Sequence, residues 1–255
     1  MQVISKAKIK LFTSLSVKKY RHQHGLFIVE GKKMVREAIL SDWKTAAVVA
    51  REDMAESAAA WFPEAEIFSA TESEFIRLSA HPNPEGILAI LHFPNENFCV
   101  PLSLNSLPEG PGFILDGIQD PGNLGTILRI ADWFGFPHVI LGPGTADLLN
   151  PKTLRSTMGA VFRVNVLYIE SLVSLAENEG DRMVAADLEG KNLQDFDWSG
   201  KEFVVIGNEA RGLSTELKAI SGLQKVCIPG EGGAESLNAA VSAGIFAWNL
   251  RYSHK

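Results

Sequence analysis

Six short apolar runs follow one another in the second half of the 255-residue chain: "GFILDG", "HVILG", "FRVNVLY", "RMVAADL", "FVVIGNE" and "KVCIPG". Their length and Val/Ile content suit strands buried on both faces, the condition met in a parallel sheet. Parallel neighbours need crossover connections, and helical patterns lie between several of the runs. In "NLGTILRIADWFGF", Leu124, Ile127, Leu128, Ala131 and Phe134 fall on one helical stripe, with Arg129 and Asp132 outside it. The pattern predicts an open α/β sheet, in which ligands bind at the carboxyl ends of the strands.

The earlier part of the chain reads as a smaller α/β domain. "AAVVA", "AEIFSA" and "GILAILHF" have strand character, and the second half of "FIVEGKKMVREAIL" is helical. A Pro/Ser/Gly-rich stretch, "FCVPLSLNSLPEGPG", reads as a linker. The expected boundaries are 1–98 for the first domain, 99–112 for the linker and 113–255 for the second domain.

Net charge is −6, yet residues 1–36 hold nine Lys/Arg against the single acid Glu30, a local +8 that leaves −14 for the remainder. Such asymmetry fits one end that meets phosphates, or a solvated basic face. No apolar run is long enough to span a bilayer, and "MQVISKAKIKLF" lacks a signal-peptide core, so no membrane partner and a cytoplasmic location are expected. Cys99 and Cys227 form no metal or redox pattern, and no metal site is expected.

Three loops at predicted strand ends carry chemistry. In "LDGIQDPGNLGTILRIADWFG", Asp116 ends a strand, Pro121-Gly122 turns the chain and Asn123 stands at a helix N-cap position. Alone, this loop is an ordinary strand–turn–helix, and it lacks the dinucleotide G-x-G-x-x-G spacing. In "FVVIGNEARGLS" a strand ends at Gly207, followed by Asn208, Glu209 and Gly212; the carboxylate either orients a ligand or caps the next helix. In "IPGEGGAESLNAAVSAGIFAWNL", Pro229 closes a strand, Gly230, Gly232 and Gly233 make a turn, and Ser236 is the expected N-cap. Leu237, Ala240, Val241, Gly244, Ile245 and Trp248 then form a stripe, with Ala239, Ala243, Phe246 and Ala247 on the other faces. A helix apolar all round must be buried, in the core or against another subunit.

Together, "N-x-G-x-x-x-R", "G-x-E-x-x-G-L" and "I-P-x-x-G-x-x-x-S-L-N" occur in that order. The triple resembles the three motifs of the SpoU (TrmH-type) RNA ribose 2′-O-methyltransferases of the SPOUT superfamily, over roughly Phe113 to Tyr252. The upstream "KKYRHQHGLFIVEGKKMVREAI" is similar to the L30e-like substrate-binding domain of many members. The resemblance implies a C-terminal α/β trefoil-knot domain that holds S-adenosylmethionine against Gly207, Ile228 and Leu237. It also implies a homodimer through the small-residue C-terminal helix and an RNA substrate, ribosomal rather than transfer RNA. Gly230 departs from the family, whose members often have Met there.

By the same resemblance, Arg129 activates the ribose hydroxyl, and Asn123, Glu209, Ser236 and Asn238 match the other active-site positions. No His lies in the three motifs, so a histidine base is not expected. A guanidinium is hard to deprotonate, which favours Arg129 as a phosphate holder and charge stabiliser over a literal base. Asn123 and Asn238 read as orienting groups. Glu209 orients either Arg129 or its loop, and Ser236 either contacts RNA or holds the turn. Lys18, Lys19, Arg21, Lys32 and Lys33 are the expected phosphate contacts, with Tyr20 available to stack on a base and Phe27 packed inside. Two other readings are a non-catalytic RNA-binding protein, opposed by the intact motif set, and an oxidoreductase, opposed by the missing glycine fingerprint.

Overall fold

The computed structural model describes residues 2–93, 100–101 (backbone only) and 106–253. Cys99 and residues 102–105 of the expected linker lie outside the described residues. By its contacts the chain forms two units, Met1–Glu96 with Asp147–Phe162, and Asn97–Ala146 with Arg163–Lys255. The sequence divides the chain once, at the linker, whereas the packing adds an exchange: residues 147–162 sit in the first unit.

In chain order the first unit contains β1 (Gln2–Val3), α1 (Lys6–Ser14), α2 (Lys18–His24), β2 (Leu26–Glu30), α3 (Lys32–Leu40), β3 (Thr45–Arg51), α4 (Ala55–Trp61), β4 (Ile67–Ala70), α5 (Glu72–Leu78) and β5 (Ile87–His92). Its sheet runs β1-β4-β3-β5-β2, with β5 antiparallel to both neighbours. The three expected runs are β3, β4 and β5, and the first half of "FIVEGKKMVREAIL" adds β2. A capping box starts α5: the Glu74 N–H donates to Thr71 Oγ1 at 3.4 Å, and the Thr71 N–H donates to Glu74 Oε2 at 3.0 Å. Phe12, Phe75 and Leu78 from the helices, with Leu15 just after α1, close over Val49, Phe68, Leu88 and Ile90.

Arg21 corrects one expectation. It is 2% exposed, its guanidinium donates to the carbonyls of Leu15 and Ser16 at 2.8 Å each, and it pairs with Asp147. It therefore holds the fold together instead of meeting a phosphate. Removing one partner of such a pair strands the other charge, at a cost of about 3–5 kcal/mol where burial is complete. Lys18, Lys19, Lys32 and Lys33 are exposed. Phe27 is fully buried, as expected, and Tyr20 is exposed.

The second unit contains β6 (Val100–Pro101), β7 (Gly112–Asp116), α6 (Pro121–Phe134) and β8 (His138–Leu141). The chain then supplies α7 (Pro151–Thr157) to the first unit, before β9 (Asn165–Tyr168), α8 (Leu172–Glu179), β10 (Met183–Asn192), β11 (Phe203–Gly207), α9 (Thr215–Lys218), β12 (Gln224–Cys227) and α10 (Ala239–Tyr252). The sheet order is β12-β10-β11-β7-β8-β9-β6, every pairing parallel. The six apolar runs are β7 to β12. The seventh strand, β6, lies inside the stretch read as linker; Pro is tolerated there because β6 is an edge strand.

Register explains why the runs lack alternation. Ala185, Val205, Ile114 and Ile140 lie side by side across β10, β11, β7 and β8, in one core layer with Leu172, Leu175 and Leu217 of α8 and α9. One residue earlier on each strand, Val184, Val204, Phe113 and Val139 also align and are fully buried. Helices α6 and α10 pack together on that unit, α10 against β11 and α6 against β8. Both faces are therefore covered, and each buried Val, Ile or Phe contributes about 1.5–3 kcal/mol. Among the described residues no helix is long and apolar enough to cross a membrane.

Candidate active site

Each motif leaves the carboxyl end of a strand in the seven-stranded sheet. The first follows β7. Asp116 Oδ2 accepts the Ser214 N–H at 2.6 Å, tying this end to the loop after β11. Helix α6 is capped by Asp120, whose Oδ1 accepts the Asn123 N–H at 2.9 Å, with Pro121 in the first turn. The expectation that Asn123 caps this helix is thus corrected: Asn123 lies inside the first turn, which frees its amide to reach sideways. Leu124, Ile127, Leu128 and Ala131 are buried as their spacing predicts, with Phe134 half-buried.

The second motif folds back on itself. Asn208 and Gly212 exchange backbone hydrogen bonds at 2.9 and 2.8 Å, and Gly212 has φ +67°, a conformation that favours glycine. The returning backbone passes directly over Gly207. The buried Asn208 side chain donates to the Gly117 carbonyl at 2.8 Å and accepts the Ala210 and Arg211 N–H groups at 3.1 Å each. This residue, noted in the motif but given no role by sequence reasoning, fastens the second loop to the first. Its adjacency to Gly207 was visible in sequence, but its partner 91 positions away was not.

In the third motif, residues 229–238 are exposed, and α10 begins at Ala239. Its cap is Asn238, whose Oδ1 accepts the N–H groups of Ala240 at 2.9 Å and Val241 at 3.3 Å. Ser236 is therefore not the cap; it is exposed three residues before the first helical turn. The buried side of α10 also differs from the expected stripe. Ala239, Ala240, Ala243, Phe246, Ala247 and Leu250 face inward, while Leu237, Val241 and Trp248 are about half exposed. Small residues pack inward because α10 lies closely on α6, where Gly244 approaches Ile130.

One chain of side-chain hydrogen bonds connects the three loops. Glu209 Oε1 accepts Asn123 Nδ2 at 3.0 Å, and Asn123 Oδ1 accepts Asn238 Nδ2 at 2.9 Å. The polarity of this chain follows from chemistry. An ionised carboxylate only accepts, so Asn123 must turn its NH₂ toward Glu209 and its oxygen toward Asn238. Asn238 must then present its NH₂ to Asn123, which leaves its oxygen for the helix cap. Glu209 also accepts the backbone N–H groups of Gln119 at 3.1 Å and Asp120 at 3.2 Å. Of the two roles open to Glu209, the observed bonds are those that hold the loop. Arg129 is exposed on α6 and makes no hydrogen bond or ion pair with the described residues.

Partial burial pushes the Glu209 carboxyl upward. The bonds from the Asn123 side chain and from the backbone of Glu209, Gln119 and Asp120 outweigh it, so the group is held below its ordinary value. A depressed carboxyl stabilises the folded state above its unfolded value, near about 4.3, and the contribution disappears as pH falls through the lower folded value. Glu209→Gln is therefore expected to be less stable than the parent at neutral pH, with the gap closing in acid. Urea unfolding of both proteins across that range checks it; a gap independent of pH would show that the carboxylate charge plays no part.

The donor set fits a cofactor with apolar and polar parts. Gly207 and Ile228 are partly accessible at neighbouring motif loops, and Leu237 is 48% exposed. Backbone N–H groups from 230 to 237 have no acceptor among the described residues and lie in an exposed turn.

Comparison with known proteins identifies the family of the chain. The description of the SpoU rRNA Methylase family matches residues 112–248, and that of the MRM3-like substrate binding domain matches residues 6–89. The chain is 32% identical over 247 residues to the 23S rRNA (guanosine(2553)-2'-O)-methyltransferase RlmP of Bacillus subtilis, covering 96% of each. An AdoMet-bound rRNA methyltransferase structure from Sinorhizobium meliloti superposes with TM-score 0.84 at 28% identity, covering 99% of this chain and 97% of that one. A TrmH-family structure from Porphyromonas gingivalis gives TM-score 0.80 at 32% identity, covering 98% and 99%.

Proposed function

The chain belongs to the SpoU rRNA methylase family, and from that premise we propose that it methylates a ribose 2′-hydroxyl of ribosomal RNA with S-adenosylmethionine. The observation that carries this reading is the Glu209–Asn123–Asn238 chain, which joins three loops at the carboxyl edge of a parallel sheet.

When bound, S-adenosylmethionine supplies an electrophilic methyl group on a sulfonium. Gly207, Ile228 and Leu237 hold it. The remaining task of the protein would be to hold the ribose oxygen toward that methyl group and to stabilise the oxygen as its proton passes to water. Asn123 and Asn238 each keep one N–H free of the bonds described above, and both amides are locked in orientation by Glu209. They orient the ribose and its phosphate. Arg129, having no partner among the described residues, is available to hold the adjacent phosphate and the developing negative charge. Ser236 contacts RNA from the exposed turn. Lys18, Lys19, Lys32 and Lys33 add phosphate contacts, whose contribution falls steeply with salt.

The C-terminal segment threads through a loop of its own domain, and the protein works in the cytoplasm as a homodimer. The half-exposed Val241, Trp248 and Tyr252 on α10 support a second copy packed there. Trp248→Glu is expected to shift the protein to monomer in sedimentation; a wild type that already sediments as monomer would end the dimer reading.

Methyl-labelled S-adenosylmethionine, offered with unmodified ribosomal and transfer RNA separately, tests the function. Label in ribosomal RNA at a linkage newly resistant to alkali supports it. Label confined to transfer RNA would reassign the substrate, and absence of cofactor binding would leave a non-catalytic RNA-binding protein.

A further inference from the structure

The first unit holds a recess of about 170 Å³ that the reaction described above does not use. Its walls come from the end of α1, the end of β2, the start of α3, the loop before β5, and α7. Apolar side chains, among them Phe12, Leu15, Ile28, Met34 and Leu154, supply most of its surface.

Two cations line it. Arg155 is half-buried on α7 and Lys33 is exposed on α3, and neither makes a hydrogen bond or ion pair with the described residues. With no acceptor among the described residues, the guanidinium N–H donors of Arg155 are available to an anion at the recess. The carboxylates in the lining are already engaged: Glu30 with Ser79 Oγ and, at 3.0 Å, the Ala80 N–H, and Glu85 with the Lys32 N–H at 2.8 Å. The Asn83 side-chain amide, also in the lining, has no partner among the described residues.

The recess is braced. Arg21 holds the carbonyls of Leu15 and Ser16 on one wall and pairs with Asp147, whose own carbonyl accepts Thr153 Oγ1 of α7 at 3.0 Å on the other. A preformed apolar recess with a few convergent polar groups is the usual form of a small-ligand site. Its free groups include two cations, which suit a phosphate, and the Asn83 amide and His81 Nε2, which suit the hydrogen-bonding edge of a base. The apolar walls suit the faces of a base.

We propose that this recess binds one nucleotide: its base lies against the apolar walls, Asn83 reads its edge, and Arg155 with Lys33 holds its phosphate. The nucleotide comes from the substrate RNA, extruded from its stack as unpaired bases are when proteins read them. That source rests on the RNA-methyltransferase reading above; the nucleotide chemistry of the recess does not.

The test uses the full chain and two substitutions on the lining, Arg155→Ala and Asn83→Trp. The latter fills the mouth without removing a side-chain hydrogen bond. Binding of 5′-AMP, GMP, CMP and UMP is followed by ligand-detected NMR, and KM and kcat are measured with unmodified ribosomal RNA. Saturable binding of at least one monophosphate, lost in both variants, with an RNA KM raised roughly tenfold at unchanged kcat, supports the proposal. Binding that both variants lose, with RNA KM unchanged, would overturn the RNA source in favour of a free nucleotide. No monophosphate binding together with unchanged RNA KM would overturn the site itself. A wild type that binds monophosphates but transfers no methyl group would count against the methyltransferase reading alone.

Discussion

Arg129→Ala is expected to lower kcat for methyl transfer by roughly 10²–10³-fold while leaving cofactor affinity and stability nearly unchanged. The separation follows from the position of the side chain. Arg129 is exposed on α6 and makes no bond with the described residues, so its removal costs the fold no hydrogen bond and no ion pair. In the proposed role, its loss falls on the charge that develops as the ribose oxygen loses its proton. Arg129→Lys keeps the charge but not the planar fork, so only partial rescue is expected. Single-turnover transfer of labelled methyl, with cofactor affinity measured by equilibrium dialysis, checks both halves. Transfer by the Ala variant at a rate near the parent's would remove Arg129 from the chemistry.

Gly207→Ala is expected to abolish cofactor binding and to destabilise the fold by at least about 1–3 kcal/mol. A Cβ there would lie 2.4 Å from the carbonyl carbon of Gly212 and 2.5 Å from the nitrogen of Leu213. The obstruction is backbone, not the end of a flexible side chain. The loop also has little freedom to retreat, because Asn208 bonds both Gly212 and the Gly117 carbonyl. Gly230→Ala is the control, since its Cβ would meet nothing within 4 Å. Thermal unfolding and equilibrium dialysis on both variants decide the matter; a Gly207 variant that binds cofactor like the parent would place the cofactor elsewhere.

The strands and the loops were legible in the sequence for a physical reason. A strand buried on both faces must be apolar at consecutive positions, so β7 to β12 are written in the chain as uninterrupted runs. The helix α6 buries one stripe against a sheet and exposes the other, and its period shows this directly. Motif residues at strand ends were legible because special backbone and polar groups stand out where an apolar run stops.

Caps were harder. Both "QDPGN" and "ESLN" offer more than one residue able to cap, and tertiary partners select among them. Asn123 is drawn sideways by Glu209 and Asn238, which leaves the capping to Asp120. Asn238, the far end of the same chain, caps α10 in place of Ser236.

The sequence by itself determined the α/β class, the order of the parallel strands' residues along the chain, and which residues stand at the strand ends. These depend on local periodicity and on the chemistry of neighbours in sequence. Only the tertiary structure decided that Arg21 is an internal strut for Asp147, that residues 147–162 pack with the first unit, and that the small side of α10 faces inward. A charged residue looks the same in sequence whether water or a carboxylate 126 positions away surrounds it. A helix apolar on every face likewise carries no signal of which side will meet the core, because that choice is made by the shape of the surface it packs against.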